Sequence, residues 1–434
     1  MADVKRIGIA LLGVGNVGGG VHDLLASNNV MAKRARIKIE IVAASARNLR
    51  RARKRLGPGV PVHADWREAV AADGVDAVVE LIGGLDDALA CAREVLGAGK
   101  PLITANKALL ATHGGELLAL ARERGAGLYY EAAVAGCVPA IRTIRDALAG
   151  DEIESIVGIL NGTCNYIMTQ LAREGKGFEE ALALASELGY AEADPSLDVD
   201  GWDAAHKAVI LAWLAYGLPL AMDRIAVEGI RGAAVADRDC AAEFGYVIKL
   251  LAHVKDHGRR GVETQVAPAL IARSHPLAAV NDNLNGLLVR TRYAGELLLV
   301  GAGAGALPTA SAVVADIIAA ARDGAPPALP FGGKASARHC ARINLGSQAY
   351  LRVRVIDAKG VLARISQTLS AAGLSIEAIH QQESHSGAEV DIAILLHELD
   401  WAALRRTMAR LAKMKQVVAP PVAMPIIIPH IKDE

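Results

Sequence analysis

The chain has 434 residues, 52% of them hydrophobic and 22% charged, with 47 lysines and arginines against 47 aspartates and glutamates. That length suits about two or three domains with ample core, and the balanced charge argues against nucleic acid as the main partner. Five scattered cysteines (Cys91, Cys137, Cys164, Cys240 and Cys340), none in zinc-ligand spacing, point to a reducing cytoplasm.

The first 135 residues alternate apolar runs with helical patterns. Strands are predicted at Ile7–Leu12, Ile37–Ala44, Ala77–Ile82, Leu102–Ala105 and Gly127–Val134, with helices such as Asp86–Ala98 and Leu109–Arg124 between them. Such alternation implies a parallel sheet covered on both faces. From about Pro139 to Ala320 the pattern is mixed, with helices at 139–149, 163–173, 178–188 and 202–216. Strands are predicted there at Glu152–Leu160, Gly261–Leu270 and Leu287–Arg292. Residues 321–348, with APPALPFGG, read as a linker. The last part reads strand 349–356, helix 361–372, strands 374–382 and 389–396, helix 400–413 and strand 416–421, the ferredoxin-like βαββαβ order.

Two stretches imitate membrane signals. Lys5-Arg6 precedes an uncharged run to Val21, and Leu297–Ala315 has no charge over nineteen residues. Five glycines between Gly13 and Gly20, and glycines 301, 303 and 305 with Pro308, make both read as strand, glycine loop and helix. The expectation is a soluble protein.

Gly13, Gly15 and Gly18 follow the first strand in G-x-G-x-x-G spacing and open a helix. The first allows a tight turn, the second admits a pyrophosphate and the third lets helix and strand approach. The helix N-terminus adds partial positive charge for phosphate. The alternative is a turn serving packing alone. After the second strand no acid stands ready for an NAD ribose. Arg47 is there, with Arg50 and Arg51 behind, which favours the 2′-phosphate of NADPH over NADH or a merely solvated basic face. Lys107, flanked by Thr104 and Asn106, emerges at the carboxyl end of the fourth strand. Open α/β sheets place ligands there, although a lysine can also simply begin a surface helix.

Glu187–Gly217 carries five acids (Glu192, Asp194, Asp198, Asp200 and Asp203) before a helix with Lys207 at the edge of an uncharged run. Asp203 and Lys207 share a helix face, Asp200 stands where a cap would, and Gly217 and Pro219 supply the stop. A lysine among carboxylates suits proton transfer to a small polar substrate, and equally a surface ion pair. His253 and His257 have the spacing of a helical metal pair but lack a third ligand. Trp202 and Trp213 are expected to pack their helix on the sheet.

GVGNVGGGV, TANKALLA, YEAAVAGCVPAI, GILNGTCNYI, LGYAEADPSLDVDGWDAAHKAVILA and GAGAGALPTASAV, in this order, resemble homoserine dehydrogenase over nearly the whole chain. The closing RVIDAKGVLARISQTLSAAGLSIEAI looks like an ACT domain, the small-molecule sensor of longer bacterial members. The resemblance implies an N-terminal Rossmann-type doubly wound domain (1–135), an α+β catalytic and dimerisation domain (136–320) returning to the first near 301–320, and a ferredoxin-like ACT domain (349–434). It implies NAD(P)H-linked interconversion of aspartate β-semialdehyde and homoserine, in threonine, methionine and isoleucine biosynthesis. Lys207 matches the acid/base lysine and Lys107 the lysine between cofactor and substrate. Glu192, Asp198 and Asp203 match carboxylates around the substrate amino group and Lys207, and Asn161, Gly162 and Thr163 the loop beside the pocket. Gly13, Gly15, Asn16, Val17, Gly18, Arg47, Gly83, Lys107 and Gly305 are the implied cofactor contacts. A structural monovalent cation, sodium or potassium, would be held by Glu131, Val134, Gly136 and Val138. An amino-acid effector, threonine, would bind around Asp357, Gly360 and Val361, and the chain would form a homodimer or homotetramer. Departures from the family pattern are Cys137 for glycine, Cys164 for threonine, and Asn285-Gly286 for Asn-Ala. A dehydrogenase for another amino-acid-derived aldehyde and a purely sensing protein are the rival readings.

Overall fold

The computed structural model describes residues 4–27, 34–191, 194–323, 337–340, 347–381 and 387–427. Six strands, β1 (Lys5–Leu12), β2 (Ile37–Ser45), β3 (Val62–His63), β4 (Ala77–Glu80), β5 (Leu102–Thr104) and β6 (Leu128–Tyr129), form one sheet. All pairings are parallel and the order is β3-β2-β1-β4-β5-β6, the doubly wound nucleotide-binding arrangement. Successive residues of a strand face opposite ways. Ala10, Leu12 and Val78 therefore enter one core, and Ile9, Leu11 and Val79 another. Both faces are covered, which is why these strands read as continuous apolar runs. Much later in the chain, the helix Ala306–Asp323 packs back against the helix Asn16–Ser27. Gly20 makes that approach possible, since a Cβ there would lie 2.6 Å from the Ala306 carbonyl oxygen.

A second sheet has ten strands. They are β7 (Ile153–Ile159), β8 (Ala226–Val227), β9 (Tyr246–Asp256), β10 (Val262–Ala272), β11 (Leu284–Thr291), β12 (Gly295–Ala302), β13 (Gln348–Ile356), β14 (Ile376–Gln381), β15 (Glu389–Leu396) and β16 (Val422–Ile427). The path runs β12-β11-β7-β9-β10-β16-β13-β15-β14, with β8 beside β10. The C-terminal βαββαβ unit is therefore continuous with the sheet that precedes it, joined where Leu270 and Ile271 pair in parallel with Ile426 and Ile427.

A buried charge cluster fixes the same joint. Arg352 on β13 donates through Nε (2.6 Å) and Nη2 (3.0 Å) to Asp237, and through Nη1 to Asp391 (2.8 Å). Tyr350 donates its hydroxyl to the same Asp237 at 3.1 Å. Asp237 belongs to the helix Val235–Glu243, outside the βαββαβ unit, and is fully buried. Such a cluster holds only when the charges and hydrogen bonds are complete.

Several sequence expectations differ from the structure. The strand predicted at 416–421 lies at 422–427 instead, because Pro420 and Pro421 cannot donate to a ladder and pairing resumes only after them. The strand predicted over 127–134 ends at Tyr129, because Glu131 turns into a short 3-10 helix held by its own backbone N–H to Asp316 (2.8 Å). The helix predicted over 139–149 is a short α-turn at Ala140–Arg142 followed by a π-turn at Thr143–Ala147. β9 is absent from the sequence reading, since Lys249 and His253 interrupt its apolar run. Lys249 nevertheless points inward, where Asn165 (3.0 Å), the Val280 carbonyl (2.8 Å) and Asn281 (3.0 Å) accept its three N–H bonds. Burial pulls its ammonium pKa down to about 8. His253 thus lies on a strand, not a helix, and His257 pairs with Glu263 at 3.0 Å.

Candidate active site

The glycine loop after β1 uses its glycines for three different reasons. Gly13 has φ +96°, and a Cβ there would sit 2.3 Å from the Leu81 carbonyl oxygen. At Gly18 a Cβ would lie 2.0 Å from the Gly13 carbonyl oxygen, so the turn and the helix close only without one. Gly15 faces open space, which leaves the backbone free for a pyrophosphate at the N-terminus of the helix Asn16–Ser27. Two cavities flank this loop. One of about 850 Å³ is lined by Gly13, Gly15, Ser45, Arg47, Arg51 and Gly83, among others. The other, about 370 Å³, runs past Asn16, Val17, Gly18 and Gly83 to Asn106 and Lys107. The groove therefore leads from the arginines after β2, across the switch point between β1 and β4, to Lys107. Gly305 (φ +123°) immediately precedes Ala306, which lines a third cavity with Gly15, Asn16 and Arg51.

Beyond the groove lies the charged centre. The helix Trp202–Tyr216 starts at Gly201 in the left-handed conformation and stops at Gly217 in the same conformation. Asp203 in its first turn is buried, and Lys207 one turn later is buried on the same face. Lys207 Nζ donates to Asp203 Oδ2 at 2.7 Å and to the Leu160 carbonyl at 2.6 Å. Lys107 Nζ reaches the other oxygen, Oδ1, at 3.0 Å. One carboxylate thus holds two lysines from different helices, Lys107–Arg124 and Trp202–Tyr216. Burial alone would raise the Asp203 pKa, but Lys207, Lys107 and the hydrogen bonds from Lys207 and Asn161 outweigh it and hold the carboxyl well below its usual range. This arrangement replaces the reading of Asp203–Lys207 as a solvated surface pair.

Asn161 caps the helix Gly162–Glu174, accepting from Cys164 N at 2.7 Å. Its amide then donates to both Asp198 Oδ1 (2.7 Å) and Asp203 Oδ2 (2.8 Å). Burial, and next the Asp203 charge, raise the Asp198 pKa. Gly162 has no room for a side chain, because a Cβ would lie 2.6 Å from the Asn283 carbonyl oxygen. Thr163 donates its hydroxyl to the Tyr190 carbonyl at 2.7 Å. Glu192 lies outside the described residues. Asp200 does not cap the helix; it pairs with Arg231. Trp213 is buried as expected, while Trp202 is 43% exposed.

Two groups escaped the sequence reading. Asn285, fully buried, donates to the same Leu160 carbonyl as Lys207, at 3.1 Å. The Asn285-Gly286 departure marked this place without its role. His206, beside Lys207, is half-buried, and its pKa is lowered first by burial and then by Lys107.

The Ala135-Gly136 turn has φ +57° and +64° and packs under the second glycine loop, where a Cβ on Gly136 would meet the Gly303 carbonyl oxygen at 2.5 Å. Glu131 is buried, its two oxygens accepting from Ile141 N (2.8 Å) and Arg142 N (3.0 Å). Burial, together with nearby Asp316, pushes its pKa up to about 7. Among the described residues, no cluster of three or more His, Cys, Asp or Glu could hold a metal ion, and no helix is long and apolar enough to cross a membrane. At the C-terminal unit, Gly360 (φ +82°) caps the helix Val361–Ser370, Val361 is buried, and Asp357 N donates to the Ala388 carbonyl at 2.8 Å.

A dinucleotide groove opening onto two lysines that share a buried carboxylate is the layout of a nicotinamide-dependent oxidoreductase acting on a CH–OH group. Comparison with known proteins narrows the class. The family profile "Homoserine dehydrogenase" matches residues 139–318, its NAD-binding domain residues 13–131, and the ACT domain residues 349–414. The homoserine dehydrogenase of Pseudomonas aeruginosa is 38% identical over 428 residues, covering 96% of this chain and 98% of that protein. That of Neisseria gonorrhoeae is 40% identical over 403 residues, covering 91% and 92%. The crystal structure of the Thiobacillus denitrificans enzyme superposes with a TM-score of 0.91 at 36% identity, covering 99% of this chain and all of that one. A hyperthermophilic archaeal homoserine dehydrogenase in complex with NADPH matches with a TM-score of 0.60 at 27% identity, over 73% of this chain and 98% of that one. The chain belongs to the homoserine dehydrogenase family.

The Asp203 cluster makes acid stability testable. With its folded pKa depressed, Asp203 contributes stability that is fully present above its ordinary value of 3.8 and is lost as pH falls through the folded value. Asp203→Asn is expected to be less stable than wild type at pH 7 by about 3–5 kcal/mol, as for a broken buried pair. In urea unfolding, that gap should narrow steadily below pH 4. A gap independent of pH would show that Asp203 is not the ionised partner of the two lysines.

Proposed function

We propose that this chain catalyses the reversible NADPH-linked reduction of L-aspartate 4-semialdehyde to L-homoserine, in the biosynthesis of threonine, methionine and isoleucine. The observation that carries the reading is the placing of Lys107 and Lys207 on the two oxygens of Asp203 beside the cofactor groove. The nicotinamide, when bound, supplies or accepts the hydride.

Lys207 spends two N–H bonds on Leu160 and Asp203, which leaves the third to protonate an alkoxide developing in the cleft. General acid help of this kind is typically worth ~10²–10⁴-fold in rate. Lys107 adds a second positive charge between cofactor and substrate. Asp198 and Glu192 hold the substrate ammonium, and Asn161, Gly162 and Thr163 shape the wall beside it. Fixing both ends of a small substrate keeps its reacting carbon near the attack geometry.

Arg47, with Arg51 on the same cavity, is suited to the 2′-phosphate, which favours NADPH over NADH. A structural sodium or potassium ion fits the turn at Glu131, Val134, Gly136 and Val138. Glu131 and Asp316 are two buried carboxylates with Arg142 as their shared ion-pair partner, and Glu131 Oε1, which accepts from Ile141 N, has a second lone pair to offer. The ACT unit, with Asp357, Gly360 and Val361 at its first strand–helix turn, is the feedback sensor, and threonine its effector. The working form is a homodimer or homotetramer in a reducing cytoplasm, where all five cysteines stay free, as they are in the structure.

Purified protein should oxidise homoserine to the semialdehyde, and Lys207→Ala should lower kcat by at least ~10²-fold with NADPH affinity nearly intact. Near-normal turnover in that variant would sink the assignment. Arg47→Ala should weaken NADPH far more than NADH; an equal loss for both would show that Arg47 does not read the phosphate. Sodium or potassium chloride should raise the Tm above that in choline chloride, and Glu131→Gln should cancel the rise. Removing the C-terminal unit would uncover buried Asp237, so sensing is tested on the full chain. Millimolar threonine should inhibit it, and Asp357→Ala should relieve the inhibition. Indifference of the full chain to threonine would exclude that effector.

A further inference from the structure

The loops after β4 and β5 are joined by a ring of hydrogen bonds with one buried acid in it. Glu80, the last residue of β4, is fully buried and stands opposite Thr104, the last residue of β5, in the parallel register. Its Oε1 accepts from Ile82 N (2.8 Å) and Gly83 N (3.3 Å), and its Oε2 accepts from the Thr104 hydroxyl at 2.6 Å. Thr104 Oγ1 in turn accepts from Asn106 N at 3.0 Å. The Asn106 amide then donates to the Gly84 carbonyl at 2.7 Å, and its oxygen caps the next helix by accepting from Leu109 N at 3.1 Å. Lys107 is the first residue of that helix.

Among the described residues no lysine, arginine or histidine forms an ion pair with Glu80, and burial raises its pKa. The three hydrogen bonds offset that cost in part. The chemistry of the partners explains why an acid stands there. All three are donors: two backbone N–H groups on Oε1, and the Thr104 hydroxyl on Oε2, whose own oxygen accepts from Asn106 N. Only a carboxylate offers acceptors on both oxygens; a glutamine would turn an NH₂ toward either the loop N–H groups or the Thr104 hydroxyl hydrogen.

We propose that Glu80 is a positioning residue that ties the cofactor loop at Gly83-Gly84 to Lys107, so that groove and lysine keep one fixed separation. It touches neither reactant; it acts through Thr104 and Asn106. This rests on the role given to Lys107 above. Displacements of ~1 Å at a reacting centre can cost ~10²-fold in rate, so loss of the tie is read in turnover before affinity.

Thr104→Val keeps the shape of the side chain, cuts the link and leaves Glu80 its two backbone bonds. It should lower kcat by about tenfold or more, with the Kd for NADPH changed less than about threefold. Thr104→Ser restores the hydroxyl and should return kcat to within about threefold of wild type. Glu80→Gln, with the polarity of one bond reversed, should lower kcat and also weaken NADPH. Wild-type kcat in Thr104→Val, or a Thr104→Ser protein as slow as the valine variant, overturns the inference. Lys107→Met separates the two claims. If it turns over normally, the reading of Lys107 falls, and this inference with it. If it is slow while Thr104→Val is normal, only the tie is wrong.

Discussion

Two lysines and one aspartate, buried together, set the terms for everything around them. A lone carboxylate in the position of Asp203 would be driven toward its neutral form by burial. Two ammonium groups, one from the doubly wound domain and one from the helix below the second sheet, reverse that preference. The cluster is therefore complete only when the two units are docked with Lys107 and Lys207 converging. Its geometry also divides labour. Lys207 is held on two sides by Asp203 and Leu160, and Asn285 steadies the second of these. Lys107, about two-fifths exposed, lines the cavity that runs past the glycine loop.

The remaining buried charges show how differently the same cost is met. Asp237 is matched by a two-pronged arginine that also reaches Asp391, so hydrogen bonds lock the joint to the C-terminal unit. Lys249 is surrounded by neutral oxygens and keeps its charge weakly, with a pKa of about 8. Glu131 is buried beside Asp316, and burial together with that second charge lifts its carboxyl to about 7. Glu80 is held by donors alone.

Much of this was legible in the sequence. The parallel sheet followed from apolar runs alternating with helical periods, and the glycine loop followed from three glycines whose separate steric reasons the structure displays. Lys107 and Asp203 could be named because each stands at the start of a helix that local patterns mark, and Lys207 because it stands one turn on at the edge of an uncharged run. What remained hidden depended on distance along the chain. The contact between Lys107 and Asp203 spans two domains, and no spacing rule reaches across them. Glu80 and Asn285 look like ordinary polar residues in apolar strings until their partners are seen. β9 was obscured by an inward lysine satisfied by three remote oxygens, and β16 was misplaced because two prolines delay a strand that composition alone would start early.

The pairing of β16 with β10 has a consequence for how the molecule comes into being. The outer edge of β10 is closed in three pieces, by β8 at Gln265 and Val266, by His339 at Val262, and by β16 at Leu270 and Ile271. The last piece lies at residues 422–427, about 150 residues further along the chain than β10. Without that strand the second sheet presents unpaired backbone between apolar residues at Leu270 and Ile271. Such an edge is a template for pairing with another chain, and closure over some 150 residues is slow compared with local contacts. Chains truncated before β16 should therefore be the aggregation-prone species, with the C-terminal unit acting as the seal of the second sheet.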